Sequence, residues 1–260
     1  MLAKQGVDSF HLLEEHVPIE EQMEYFRFFD RVRKEGMPFD RDEEIVILYS
    51  PNQTIHRKKR SLIRLSTLPE VKAYRAIETY HSSPHDPELV NWAAMALVGS
   101  KVILSSTLSG EQQIYVSSGL GGLDKRLRFF ALFATQDRSA LSEVQRELVE
   151  REFRFQLQQA EIEIEDFTIA ENYFTLVMLF PLEADPKVII NTAIDEINQL
   201  GNFLDNKFLF TNIKILNEEE IQQLLERGFD KPRLKQVQSD KPTDTTDSDE
   251  PTKPNSPSES

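Results

Sequence analysis

The sequence contains no cysteine, which excludes a disulfide framework, a zinc site with thiolate ligands and a cysteine nucleophile. Long apolar runs are also lacking. The longest near-apolar stretch, residues 90–99, includes Asn91 and is far shorter than the roughly 20 residues that cross a bilayer. Residues 1–6 have no apolar core, so we expect no signal peptide. These absences predict a cytoplasmic protein with no membrane partner.

Catalytic and cofactor motifs are absent as well. The glycine loop Gly119–Gly122 follows a predicted strand, but it leads into a second strand and lacks the Gly-Lys-Ser/Thr ending of a phosphate loop. A hairpin turn explains its glycines. His81 and His85 have the spacing of a metal pair, but Pro84 interrupts any helix between them. We therefore predict no catalytic residue, no metal site and no cofactor, and the sequence favours a protein that is not an enzyme.

The charge balance is strongly acidic, with 44 Asp and Glu against 30 Lys and Arg and a net charge of −14. Such a chain is repelled by nucleic acid unless a local patch overrides the total. One block of the sequence, residues 51–100, is basic. Any anionic partner is therefore expected at this block.

The period of the apolar residues changes near Gly110. Before it the sequence reads as helices, although residues 44–49 fit a strand or a helix equally well; after it, runs of period two alternate with helices. From Pro87 the order is αββ-αββ-αβ, which predicts an α+β fold: a helical region packed on a two-layer sandwich with a mainly antiparallel five-stranded sheet. The predicted strands are 112–118, 126–135, 161–169, 173–182 and 207–216.

Three regions follow from this pattern. Residues 1–86 form a helical N-terminal region, in which residues 9–16 are a possible short helix. Residues 87–228 form the sandwich, and the apolar helix 87–106 is shared between the two regions. Residues 238–260 consist of Ser, Thr, Pro, Asp, Glu, Lys and similar residues, which predicts a disordered acidic tail.

The run Asp86-Pro87-Glu88-Leu89-Val90-Asn91-Trp92-Ala93-Ala94-Met95-Ala96-Leu97, which follows a predicted helix and a short turn, resembles a HEAT-type helical repeat. The resemblance covers about residues 69–106, a single unit, whereas a solenoid stacks three or more. Asn91 stands where the repeat often has arginine. The resemblance implies a local helical hairpin with a surface for docking a protein.

Two segments are candidate partner-binding sites. In the basic helix 55–64, three arginines at i, i+3 and i+7 form one ridge that could grip phosphate or an acidic protein surface, unless the protein's own acids neutralise it. In the aromatic run 25–29, too many rings circle one helix for all to face one core, so core packing and an exposed partner surface are both open. The candidate residues are Arg57, Lys58, Arg60, Arg64, Tyr25, Phe28 and Phe29.

Acidic side chains supply a further alternative. Glu161, Glu163 and Glu165 alternate with isoleucines, which places the three carboxylates on one strand face. They could hold a cation or act as catalytic carboxylates, or they could simply be solvated. The main prediction is a non-enzymatic adaptor that binds a protein through its helical face. The alternatives are nucleic-acid (RNA) binding through helix 55–64 and an enzyme that uses the carboxylates of the sheet.

Overall fold

The computed structural model describes residues 9–229 and confirms the α+β fold class with a mainly antiparallel sheet. The predicted tail 238–260 lies outside the described residues. The strands are β1 (Ser9–Leu12), β2 (Gln113–Val116), β3 (Gly122–Leu123), β4 (Arg126–Ala134), β5 (Glu163–Ile169), β6 (Tyr173–Pro181) and β7 (Leu209–Thr211). The helices are α1 (Ile19–Glu35), α2 (Arg41–Tyr49), α3 (Ile55–Ser66), α4 (Val71–Ser82), α5 (Val90–Ser109), α6 (Glu143–Gln159), α7 (Pro186–Gly201) and α8 (Glu218–Arg227).

The helical half packs around α5. Its first ten residues are apolar nearly all round, so they are buried on several sides at once by α1, α3 and α4. The segment 44–49, which the sequence left open, is helical and belongs to α2, because Asp40 caps it by accepting a hydrogen bond from the backbone N–H of Glu43. Helices α4 and α5 pack on each other, as a helical hairpin would. The HEAT resemblance itself stays a prediction.

The buried apolar residues of α5 all belong to the core of the helical half, and none belongs to the clusters that cover the five-stranded sheet. The helix also contacts β1 and β2. The sharing of this helix between the two predicted regions stays a prediction. By length and composition the stretch Pro87–Ser109 could cross a membrane; half of its apolar stretch is buried within the fold. The boundaries predicted at residues 86 and 228 stay a prediction.

The structure corrects the sequence prediction for two segments that pair with each other, one in its secondary structure and the other in its partner strand. Residues 9–12 are a strand rather than a helix, and β1 pairs in parallel with β2 from Ser9 opposite Gln113 to Leu12 opposite Val116. The strand predicted at 112–118 therefore forms a separate two-stranded sheet and does not pair with β4. Pairing between segments a hundred residues apart is set by tertiary contacts, which local periodicity does not report.

From β3 onward the chain runs β3-β4-α6-β5-β6-α7-β7-α8. The five-stranded sheet has the order β3-β4-β6-β5, and β7 pairs antiparallel with β4. Alternate residues of β4 face opposite sides: Ala131 and Phe133 pack under α6 and α7, whereas Phe130 and Leu132 pack under α8. Helix α8 thus covers part of the second sheet face and adds a layer that the predicted two-layer sandwich lacks.

Candidate binding surface on helices α1 and α3

The basic helix forms as predicted, but most of its charge is neutralised inside the protein. Helix α3 is capped by Thr54, and its apolar stripe is buried in the helical core. Lys58 is only 2% exposed, and its Nζ lies 2.6 Å from Oδ2 of Asp86. The same carboxylate oxygen accepts a hydrogen bond of 2.6 Å from the hydroxyl of Tyr80. Lys58 therefore anchors α3 to the turn before α5 and is not available to a partner.

Two of the three predicted ridge arginines converge on one buried carboxylate, that of Glu44 in α2, which is 2% exposed. Nη2 of Arg57 lies 3.2 Å from its Oε1, and Nη1 of Arg64 lies 2.5 Å from the same atom. The hydroxyl of Ser61 donates to Oε2 at 2.5 Å. Such an arrangement satisfies a buried carboxylate on both oxygens. The helix side predicted as a phosphate-gripping ridge is thus partly an internal contact with α2.

The other cations of α3 are paired with helix α1. Arg60 forms an ion pair with Glu35, and its hydrogen bond lowers the pKa of that carboxyl group. Nζ of Lys59 lies 2.9 Å from Oε1 of Glu24 and 4.0 Å from the ring centre of Trp92. Every Lys and Arg of α3 therefore has an acidic partner within the part of the chain that the structure describes.

The aromatic run of α1 packs mainly into the core. Tyr25 and Phe28 are buried, and both rings contact Trp92 edge-on at 5.2 and 5.7 Å. Phe29 is half-buried against the same cluster, and Phe26 alone of the four rings stays 40% exposed. Phe28 is buried because α3 covers its side of α1, where His56 contacts its ring. Core packing therefore explains this run, and the alternative of a broad aromatic partner surface loses its basis.

A different set of cations is free. Arg27, Arg31 and Lys34 follow each other at i, i+4 and i+7 on the exposed side of α1, and we call them the α1 ridge. Among residues 9–229 none of the three has an ion pair, although Arg31 stacks on the ring of Phe28 at 5.7 Å. Two exposed acids lie beside the ridge along the helix: Glu35, which pairs with Arg60, and Asp30, which forms no ion pair within residues 9–229. Helical spacing alone does not tell a paired cation from a free one.

The glycine loop is a crossing point of the chain and not a phosphate loop. The backbone N–H groups of Leu120, Gly121 and Gly122 donate to the carbonyls of Asn212, Ser118 and Glu14. A phosphate loop must present such groups to its ligand, and here all three are already used. The predicted hairpin explanation is also incomplete, because the glycines are required mainly by the close approach of two other backbone segments.

The predicted carboxylate face is likewise satisfied internally. Glu163 pairs with Arg126 at 2.9 Å and Glu165 with Arg128 at 2.5 Å, across the sheet. Glu161 precedes the strand, and a bulge between Ile164 and Asp166 breaks the predicted alternation. Within residues 9–229 no group of three His, Asp or Glu side chains is arranged to hold a metal.

The two histidines with the spacing of a metal pair, His81 and His85, have separate contacts. His81 contacts Glu15 at 3.0 Å, and this hydrogen bond lowers the pKa of Glu15. His85 instead packs edge-on against Tyr49 and Tyr80.

One polar cavity of about 460 Å³ lies between β6 and α8. At its wall the hydroxyl of Tyr173 donates to Glu218 at 2.7 Å. Burial, together with this bond to a carboxylate, raises the pKa of Tyr173 to about 12. The phenol is therefore neutral near pH 7.

No family model and no curated protein matches this chain. Two solved structures are similar to part of it. One, described as a "putative transposase" from Deinococcus radiodurans R1, is 17% identical over 39% of this chain and 90% of that chain, with a TM-score of 0.33. The other, a REP-associated tyrosine transposase bound to a REP hairpin, is 13% identical over 40% of this chain and 70% of that chain, with a TM-score of 0.31.

These descriptions contradict the predictions of a non-enzymatic adaptor and of a HEAT-like protein-binding face, which we withdraw. With TM-scores below 0.5, the partial likeness by itself assigns no activity to this chain.

Proposed function

We propose that this protein binds nucleic acid, without sequence preference, through phosphate contacts made by the α1 ridge. The observation that carries the proposal is that Arg27, Arg31 and Lys34 are exposed and unpaired among the described residues, in a protein whose net charge is −14. The neighbouring cations of α3 are all neutralised by acids. The binding surface is thus displaced from the basic helix 55–64 to the helix beside it.

The geometry of the ridge suits a phosphate backbone. Residues 27 to 34 of a helix span about 10 Å, which is close to three nucleotide steps of about 3.4 Å along one strand. Arginine donates two parallel hydrogen bonds to a phosphate, and it stays charged at all relevant pH values. Three such contacts support weak binding, with a dissociation constant on the order of 10⁻⁵ M at low salt, and not tight recognition.

The experiment is fluorescence anisotropy of labelled oligonucleotides, single-stranded and duplex, DNA and RNA, at several salt concentrations. We expect the affinity to fall with salt with a log–log slope of about −2.7 for duplex DNA and about −2 for single strands, because about three neutralised phosphates release their counterions. The variant R27Q/R31Q/K34Q should lose most of the binding and most of the slope. A flat salt response of the native protein would refute the proposal.

Two further variants make the test specific. R151Q/K187Q/R227Q removes three exposed cations from α6, α7 and α8, so it changes the net charge equally but leaves the α1 ridge intact. It should bind as the native protein does; an equal loss in both triple variants would show a response to net charge and not a site. Asp30→Asn removes the acid beside the ridge that forms no ion pair within residues 9–229 and should tighten binding several-fold.

A further inference from the structure

Two adjoining cavities lie between α1, the end of α3 and the second half of α5. The outer one has a volume of about 440 Å³ and the inner one about 180 Å³. Phe29 and Ile103 line both, so the two cavities meet at these side chains. Pockets for small molecules typically have about 300–1,000 Å³ and mostly apolar walls.

The inner cavity is almost wholly apolar. Its walls include Phe26, Met95 and Val102, and one side is left open by Gly99 of α5. A Cβ atom placed on Gly99 would come no closer than 4.0 Å to another group, the hydroxyl of Tyr25. The glycine therefore leaves room that no other side chain of the described chain fills at this point.

The outer cavity combines apolar walls with positive charge. Val32, Met37 and Ile63 supply apolar surface, and Arg33 and Arg64 are its charged lining residues, with no acid among them. Arg64 is committed to Glu44. Arg33 is exposed and has no ion pair within residues 9–229. The chain has 44 acidic residues, yet the charged residues that line this cavity are both arginines. This charge favours an anionic ligand.

We propose that the joined cavities bind an anionic amphiphile, namely a carboxylate with an unbranched apolar chain. The carboxylate pairs with Arg33, and the chain passes Phe29 and Ile103 into the inner cavity. Burial of each methylene favours binding, and a charge-assisted hydrogen bond at the mouth fixes the orientation. This site is independent of the α1 ridge, since Arg27, Arg31 and Lys34 do not line either cavity.

The probe pair is dodecanoate and dodecan-1-ol, titrated below their aggregation limits by isothermal titration calorimetry. We expect saturable binding of one dodecanoate per chain and about tenfold weaker binding of the alcohol, which has the same chain without the charge. Equal affinity for the two probes, or no saturable binding of dodecanoate, would overturn the proposal.

Two pairs of variants locate the site. Arg33→Met should weaken dodecanoate binding about tenfold and leave the alcohol unchanged, whereas Lys34→Met, one position away, should change neither. Gly99→Leu should abolish binding of both probes, since leucine fills the inner cavity and also favours the helix. Should Gly99→Leu fail to fold by circular dichroism, Val102→Phe fills the same cavity from its partly exposed side. Unaltered binding in a folded cavity-filling variant, or a dimer that covers the mouth and excludes dodecanoate, would refute this site.

Discussion

The ammonium group of Lys58 and the carboxylate of Asp86 lie 2.6 Å apart, and Lys58 is almost fully buried. In the sequence these residues belong to two different features, the basic helix 55–64 and the run 86–97, which Asp86 begins. In the fold they form one ion pair that joins α3 to the start of α5. Asp86 does not cap a helix with its side chain; the chain instead makes a short 3-10 turn, Pro87–Leu89, before α5 begins.

Asp86→Asn should destabilise the protein by about 2–3 kcal/mol, because it leaves the ammonium group of Lys58 buried with a neutral partner. The loss is at the low end for a broken buried pair, since Asp86 keeps 21% of its side chain exposed. Lys58→Met keeps the apolar stem and leaves only the carboxylate of Asp86, which is 21% exposed and still accepts from Tyr80, so it should cost less than Asp86→Asn. Urea unfolding followed by circular dichroism measures both. A larger loss in Lys58→Met than in Asp86→Asn would contradict this account.

Stability should fall below about pH 4 in part through the same pair. Partial burial opposes ionisation of Asp86, but hydrogen bonds from Lys58 and Tyr80 outweigh it and lower the pKa of Asp86 below 3.8. A carboxyl group whose pKa is depressed by folding stabilises the fold above its unfolded pKa, and the contribution is lost as the pH falls through the folded pKa. The free energy of unfolding, measured from pH 6 down to about pH 2, should therefore fall less steeply in Asp86→Asn. An identical slope in both proteins would show that Asp86 does not contribute.

Alanine substitutions at glycines in and near the glycine loop should destabilise the protein to different degrees, according to the space that each Cβ atom would have. At Gly119 an added Cβ would lie 1.8 Å from the carbonyl oxygen of Ile213, and at Gly121 it would lie 2.2 Å from that of Glu14, with φ at +66°. At Gly110, φ is +72° but nothing lies within 4 Å. Gly110→Ala should thus cost about 1 kcal/mol for the left-handed backbone alone. Gly119→Ala and Gly121→Ala should cost about 3 kcal/mol or more, since backbone must move.

Thermal unfolding of the three variants measures the series. The Gly110 variant is the matched control, because it shares the backbone conformation of Gly121 but not the contact. Equal losses in all three would mean that the loop can shift away from its neighbours, and that the crossing of backbone segments is loosely packed.

Local patterns in the sequence determined much of this fold. The period of the apolar residues predicts the helices α1 and α3 to α7 and the strands β4, β5 and β6. It does so because helices and half-buried strands bury one face at fixed spacings. Cap residues such as Ser142 and Asn217 are also readable locally, since a cap bonds to residues two or three positions away.

The tertiary structure alone decided which charges are free. Arg57 and Arg64 look like a surface ridge at helical spacing, yet Glu44 lies opposite them, whereas Arg27 and Lys34 at similar spacing form no ion pair within residues 9–229. Spacing fixes which side chains share a face of one helix, but not which element covers that face. The parallel pairing of β1 with β2 and the crossing at Gly121 have the same cause: both join segments distant in the chain, whose contacts are set by packing and not by local propensity.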